Sequence, residues 1–353
     1  MQLRRITSTG RFVPEIDGLR CVAICSVVLY HLGGFLGWRI AEHGYRGVNL
    51  FYVISGFILG LPFASHYLQQ KPPVRLRSYF LRRLTRLEPP YLLSLLICFG
   101  GLVWVQGRDG RELLPGLAAS AGYVHSLWFG AQSAINPVTW SLEVEVQFYC
   151  LAPLLAGIFA LRPKRLRRAV LLALVILAGS VQLYYWDAPF RIEYSILFAI
   201  QFFLAGFVLA DVYLVDWKEK PAPHWIWDFA AFAGWPLLFV LSDQQVWVVL
   251  PILALALYAA AFRSVLINRV LRNSVVTNIG GMCYTIYLFH YLLIPLMLRI
   301  TNGFHPLIQA LLYGLVLTLV SGAYFALIER PCMRKDWPQR AWAQLRSKTT
   351  GNT

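Results

Sequence analysis

Arg20 and His31 stand eleven residues apart in the stretch Pro14 to His31, PEIDGLRCVAICSVVLYH, with no charge between them. On an α-helix this spacing puts the guanidinium and the imidazole on one face, about 16 Å apart along the axis. Neither group is cheap to bury at membrane depth without a use. A second set lies in Trp140 to Tyr149, where Ser141, Glu145 and Tyr149 recur at i, i+4 and i+8 on one helix face. Glu143 and Gln147 mark another face of the same helix. A third set is Tyr284, Tyr287 and His290 at i, i+3 and i+6. Histidine accepts a proton near neutral pH, and a nearby carboxylate would orient its ring and stabilise the imidazolium. These types admit a proton relay, an ion-coupled substrate site or general acid–base catalysis. A histidine bonded across helices is the competing reading, and for His290 it is the stronger one. His43, His66, His125, His224 and His305 fall at span ends or in loops. No HExxH or similar spacing occurs, so no metal site is expected.

The elements that must carry these residues follow from composition. Of 353 residues, 58% are hydrophobic and 14% charged, where a soluble domain carries about a quarter charged. The apolar residues come in blocks of about twenty, the span of a hydrocarbon core. The expected fold is an all-α polytopic membrane protein with ten spans: 18–37, 47–66, 89–106, 141–161, 168–186, 194–213, 226–241, 246–262, 279–298 and 307–328. With the N-terminus in the cytoplasm, the cytoplasmic segments hold 25 Lys and Arg and the outer ones 6. The positive-inside rule then gives an N-in, C-in chain. The same rule accounts for the net charge of +15 without nucleic acid. The basic start Arg4, Arg5, Arg11 reads as the flank of a retained first span rather than a removed signal.

Two connections stand out. The segment 67–88 holds Lys71, Arg75, Arg77, Arg82, Arg83 and Arg86, followed by Glu88-Pro89-Pro90-Tyr91. Such charge serves topology and anionic headgroups, and its planar forks suit phosphates equally. The segment 107–140 carries Tyr123, His125, Trp128, Phe129 and Trp140, either an interfacial belt or a platform or lid over a cavity. The basic tail 329–353, with Trp337 and Trp342, is expected on the inner membrane surface. The six cysteines, Cys21, Cys25, Cys98, Cys150, Cys283 and Cys332, contain no CxxC pair and read as small buried hydrophobes. No internal repeat of the kind that marks inverted-repeat transporters is found.

Together these pieces resemble the acyltransferase 3 family of integral membrane O-acyltransferases. The matching residues are Asp17-Gly18-Leu19-Arg20 with His31, Gly47-Val48-Asn49 through Ser55-Gly56-Phe57, Arg82-Arg83-Leu84-Thr85-Arg86 with Pro89 and Tyr91, Trp140-Ser141-Leu142 through Glu145 to Phe148-Tyr149, Tyr284 to His290, and Glu329-Arg330-Pro331. They run in family order from residue 14 to 331. Asn49 stands where the family has Asp, which removes a charge and any catalytic role for that position. Tyr52 stands where Phe is usual, and Glu143 where a small polar residue is common.

The resemblance implies a single transmembrane acyltransferase domain, core 14–331 and basic cytoplasmic tail 332–353, with no appended extracytoplasmic domain. It implies transfer of an acyl group, usually acetyl, from cytoplasmic acyl-CoA (acetyl-CoA) to a hydroxyl of an outward-facing acceptor, often a cell-envelope polysaccharide or glycolipid sugar. The setting would be a bacterial inner membrane. Arg82, Arg83 and Arg86 would hold the phosphates, and Arg20 would guide the arm. His31 would be the general base and Glu145 would orient it, with Ser141, Trp140, Tyr149, His290 and Tyr284 as substrate-side or supporting residues. Direct transfer and a transient acyl-imidazole on His31 both fit this set. The rival readings are the same chemistry on a small metabolite or lipid, and a secondary transporter that uses these charges without thioester turnover.

Overall fold

A bilayer offers no water to a bare backbone, so apolar blocks of this length must close their hydrogen bonds internally as helices. The computed structural model describes residues 12–39, 42–334, Trp337 and Gln339, and among them there is no strand. The helices are α1 Pro14–Leu36, α2 Gly47–Gln69, α3 Leu76–Gly100, α4 Gly110–Ala121, α5 His125–Phe129, α6 Trp140–Leu155, α7 Lys164–Tyr184, α8 Phe190–Glu193, α9 Ile200–Val215, α10 Ile226–Val240, α11 Asp243–Arg263, α12 Leu266–Leu271, α13 Ser274–Gly281, α14 Cys283–Ile300, α15 Pro306–Tyr324 and α16 Arg330–Cys332.

Among the described residues, eight segments are long and apolar enough to cross a membrane: Pro14–Leu36, Gly44–Gln69, Leu76–Val105, Pro137–Ala160, Lys164–Tyr184, Gln245–Arg263, Cys283–Ile300 and Pro306–Cys332. The sixth and seventh expected spans are shorter apolar helices, Ile200–Val215 and Ile226–Leu238. Helix α9 is about 24 Å long by its 16 residues. It is buried along almost its whole length, from Gln201 to Leu214. A helix apolar on every side belongs at the centre of a bundle, and one sheathed by protein need not match the bilayer. Its contact with α2 is reciprocal. A Cβ on Gly56 would strike the Phe203 carbonyl, and one on Gly206 would strike the Val53 carbonyl, so both glycines let the two backbones touch.

Polar side chains fasten α9 to α7. Arg167 and Arg168 both bond the Asp211 carboxylate, Arg168 at 2.6 Å, and Arg168 also reaches Asp216 at 2.6 Å. The basic cluster before the fifth span is therefore no free topological loop, since Asp211 is fully buried and takes two of its guanidiniums. Gln182 and Gln201 add a second link between the same helices. At the far end of α10, Arg46, itself 1% exposed, donates to the carbonyls of Leu238 at 2.5 Å and Leu241 at 2.7 Å. A cation there completes the acceptors a helix C-terminus leaves open.

The largest departure from expectation is α3. It starts at Leu76, not near residue 89, so Arg77, Arg82, Arg83 and Arg86 ride on its first turns rather than in a loop. Pro89 and Pro90 sit inside the helix, where each lacks the N–H that would bond the residue four positions earlier. Side chains from distant segments bond this proline region. The Trp337 indole donates to Thr85 O at 2.8 Å, Tyr284 to Leu87 O at 3.1 Å and Tyr324 to Pro90 O at 2.5 Å. Trp342 lies outside the described residues. The segment 107–140 likewise contains two helices, α4 and α5. Of the cysteines, Cys21, Cys98 and Cys332 are buried, whereas Cys25 and Cys150 are exposed, contrary to expectation. All six are free thiols.

Candidate active site

Helices α1 and α14 run in the same direction: Gly280, three residues before α14, closes on Asp17 near the start of α1, and His31 meets His290 farther along. Gly280, on α13, closes against the Asp17 carbonyl and admits no Cβ there, which fixes the beginning of α1. Asp17, 3% exposed, bonds the Arg20 guanidinium at 2.5 Å. That pair leaves Arg20 charged and held in place, its side chain 12% exposed.

At the other end of the stripe, His31 is half-buried. Its Nδ1 lies 3.1 Å from Val27 O and 3.0 Å from His290 Nε2. His290 is fully buried, and its Nδ1 is 2.8 Å from Tyr287 O. The rings of Tyr30 and Tyr291 stand edge-on to His31, with centroids 4.9 and 5.1 Å away. No hydrogen bond among the described residues engages His31 Nε2, and it is not one of the sealed, partnerless atoms.

Glu145 does not orient His31 directly. Its Oε1 accepts from Ser55 Oγ at 2.7 Å, and the Tyr149 hydroxyl lies beside the same carboxylate. The physical reason is that His31 Nδ1, the nitrogen a carboxylate would engage, is already claimed by Val27 O and His290. Glu145 is half-buried, and its field extends to Arg20. It sits within the same polar interior as the α1 stripe. The rest of α6 divides as the spacing suggests. Ser141 and the Tyr287 hydroxyl are 2.7 Å apart, and Tyr287 donates to Val138 O at 2.6 Å. On the second face, Glu143 accepts the Ser126 N–H at 2.8 Å and Gln147 the Ile196 N–H at 2.8 Å, so these two side chains tie down the α5 start and the approach to α9.

The remaining candidates separate. Trp140 packs edge-on against Tyr194 at 4.7 Å, a wall position. Tyr284 spends its hydroxyl on Leu87 O and so holds α3. Arg82 is exposed, whereas Arg83 and Arg86 are half-buried. Arg83 donates to Tyr79 O at 2.8 Å and stacks on the Tyr79 ring at 3.7 Å. It borders a cavity of about 380 Å³ between α3 and α6, with Arg77, Leu84, Glu88, Tyr123 and Tyr149 in its walls. The Nε atoms of Arg83, Arg86 and Arg330 are sealed from solvent without a partner. Arg168 Nη2 is sealed in the same way. The Asn49 side chain makes no hydrogen bond among the described residues and is half-buried. No cluster of metal-ligating side chains occurs among the described residues.

The reading of His290 as a histidine bonded across helices is what the structure shows, since its Nε2 meets His31 Nδ1 at 3.0 Å; what sequence reasoning missed is the partner, which lies 259 residues earlier with no local signal. Arg330 entered only as part of the Glu329-Arg330-Pro331 run, with no role assigned to it.

The family model described as an acyltransferase domain matches residues 13–326. The O-acetyltransferase OatA of Staphylococcus aureus strains NCTC 8325 / PS 47 and COL is 25% identical over 370 residues, covering 96% of this chain and 60% of its own length. A further protein of S. aureus strain COL, SACOL0978, is 24% identical over 313 residues, covering 80% of this chain and 51% of its own length. The chain thus spans less than two thirds of the curated relatives it matches. No solved structure matches it.

Proposed function

Because the chain belongs to the acyltransferase 3 family, its profile running from residue 13 to 326, we propose that it is a membrane O-acetyltransferase. It takes an acetyl group from acetyl-CoA on the cytoplasmic side and delivers it to a hydroxyl of an outward-facing acceptor, a cell-surface polysaccharide or glycolipid sugar. The names of the S. aureus relatives support O-acetyl transfer. The basic residues gathered on one set of connections support an N-in, C-in chain in a bacterial cytoplasmic membrane.

Acetyl-CoA, when bound, supplies the acyl group already activated as a thioester. Arg83 and Arg86 would hold its phosphates, and the place of Arg83 on the wall of the cavity of about 380 Å³ between α3 and α6 is what supports the fit. Arg20, held by Asp17 at 2.5 Å, would guide the arm from its place near the start of the α1 face that carries His31. His31 acts as general base at Nε2, taking the proton of the acceptor hydroxyl. Glu145 does not touch His31; it accepts from Ser55 Oγ at 2.7 Å beside the Tyr149 hydroxyl and so fixes the α2–α6 wall of the same interior.

The observation that carries this reading is the state of His31: held through Nδ1, with Nε2 unengaged, on the same helix face as Arg20. The test is release of free coenzyme A from acetyl-CoA by purified protein with a glycan acceptor. His31→Gln should abolish it, while the variant still elutes as folded protein. Full turnover by that variant would remove His31 from the chemistry, and substrate transport with no thioester cleavage would replace the enzyme with a transporter.

A further inference from the structure

Two backbone carbonyls decide where the protons of the histidine pair sit. A carbonyl oxygen only accepts, so His290 Nδ1, 2.8 Å from Tyr287 O, carries a hydrogen. Neutral His290 then offers Nε2 as a lone pair. His31 Nδ1 faces that lone pair at 3.0 Å and Val27 O at 3.1 Å, two acceptors at once, so it too carries its hydrogen. The opposite assignment would set a nitrogen lone pair against a carbonyl at both ends of the pair. One arrangement remains, with both rings neutral and His31 Nε2 as the free base. The frame around His290 is rigid. Its side chain is fully buried, and its own carbonyl accepts from the Tyr313 hydroxyl at 2.9 Å.

We infer that His290 is a positioning residue for the reaction. It holds His31 in the tautomer whose Nε2 can take a proton, and it shares the charge once that proton arrives. The inference rests on the acyl-transfer reading above. In the transfer step the acceptor oxygen bonds the acetyl carbon while its proton passes to His31 Nε2. The carbon–sulfur bond breaks, and the departing thiolate recovers that proton as a thiol. Between those events the imidazolium proton on His31 Nδ1 can slide along the 3.0 Å bond to His290 Nε2, so the charge spreads over two rings. The pair does for His31 what the carboxylate of a His–carboxylate pair does elsewhere, by hydrogen bonding and not by a fixed negative charge.

The experiment has two arms on the full chain in nanodiscs. In the first, uniformly ¹⁵N-histidine-labelled protein is read for the His31 tautomer, with its resonances assigned by their loss in His31→Gln. The expected pattern is protonated Nδ1 and bare Nε2; protonated Nε2 in the resting protein overturns the inference whether or not the protein turns over. In the second arm, His290→Leu should lower kcat about 100-fold with KM for acetyl-CoA within twofold. His290→Gln, which restores an acceptor near the Nε2 position, should recover at least tenfold of that loss. A Leu variant with wild-type kcat, or a folded Gln variant no better than Leu, overturns it. Absence of thioester turnover in wild type would sink the acyl-transfer reading alone, since the tautomer arm still decides the pair.

Discussion

The indole Nε1 of Trp337 donates to the carbonyl oxygen of Thr85, 252 residues earlier, and Thr85 is the residue whose helical donor Pro89 cannot supply. This contact explains how a helix continues through two prolines and carries the arginine cluster on its first turns. It predicts a coupling. Trp337→Phe should destabilise the folded protein by about 1 kcal/mol, the net worth of one partly buried hydrogen bond. In a Pro89→Ala background, where an N–H returns to Thr85, the same substitution should cost much less. A double-mutant cycle on thermal unfolding in detergent reads the difference, and equal costs in both backgrounds would show that the indole serves only as packing.

The same helix shows why part of the fold was hidden in the sequence. Pro89-Pro90 reads locally as a stop, and only a residue near the far end of the chain cancels that signal. Helix α9 is the converse case. Its hydropathy predicts a span, but nothing local tells a helix walled by α2 and α7 from one facing lipid. The Arg20–His31 stripe was legible because both residues sit on one uninterrupted helix and the period alone relates them. The partners were not. Ser55 on Glu145, His290 on His31 and Asp211 on Arg167 are tertiary pairings, and spacing along the chain carries no information about them.

The reciprocal glycine contact gives a packing prediction. Gly206→Ala must push the α2 and α9 backbones apart, because its Cβ meets the Val53 carbonyl and the Phe57 amide nitrogen, neither of which can rotate away. A loss of about 1–3 kcal/mol is expected, seen as a lower Tm. Gly314→Ala is the control. A Cβ there meets nothing within 4 Å, and alanine is the better helix former, so its Tm should hold or rise slightly. Equal behaviour of the two variants would mean that the close approach of α2 and α9 contributes nothing.

The unequal burial of the arginines on α3 gives a functional prediction. Arg83 and Arg86 carry sealed, unpartnered Nε atoms and Arg82 is exposed, so the three arginines should not be equivalent. Arg83→Gln and Arg86→Gln should each raise KM for acetyl-CoA about tenfold, or ~1.4 kcal/mol of lost binding. Arg82→Gln should leave KM within twofold. Steady-state coenzyme A release at varied acetyl-CoA measures all three, and a KM that rises only in the Arg82 variant would place the phosphates on the exposed arginine instead.

Acid sensitivity should be traceable to Asp216, just beyond the end of α9. The Arg168 guanidinium, bonded at 2.6 Å, holds this carboxyl below the usual aspartate range; partial burial works against that, and Lys164 at 3.0 Å reinforces it. A carboxyl whose folded pKa is depressed contributes stability that is fully present above its unfolded pKa of about 3.9 and disappears as pH falls through the folded value. Wild type should therefore have a higher Tm than Asp216→Asn at pH 6. The gap should narrow once pH drops below about 4 and close at lower pH, because the protonated carboxyl and the amide are then both neutral. Thermal unfolding of the two proteins between pH 6 and pH 3 measures the gap. A gap that stays constant across that range would assign the difference to geometry and not to charge.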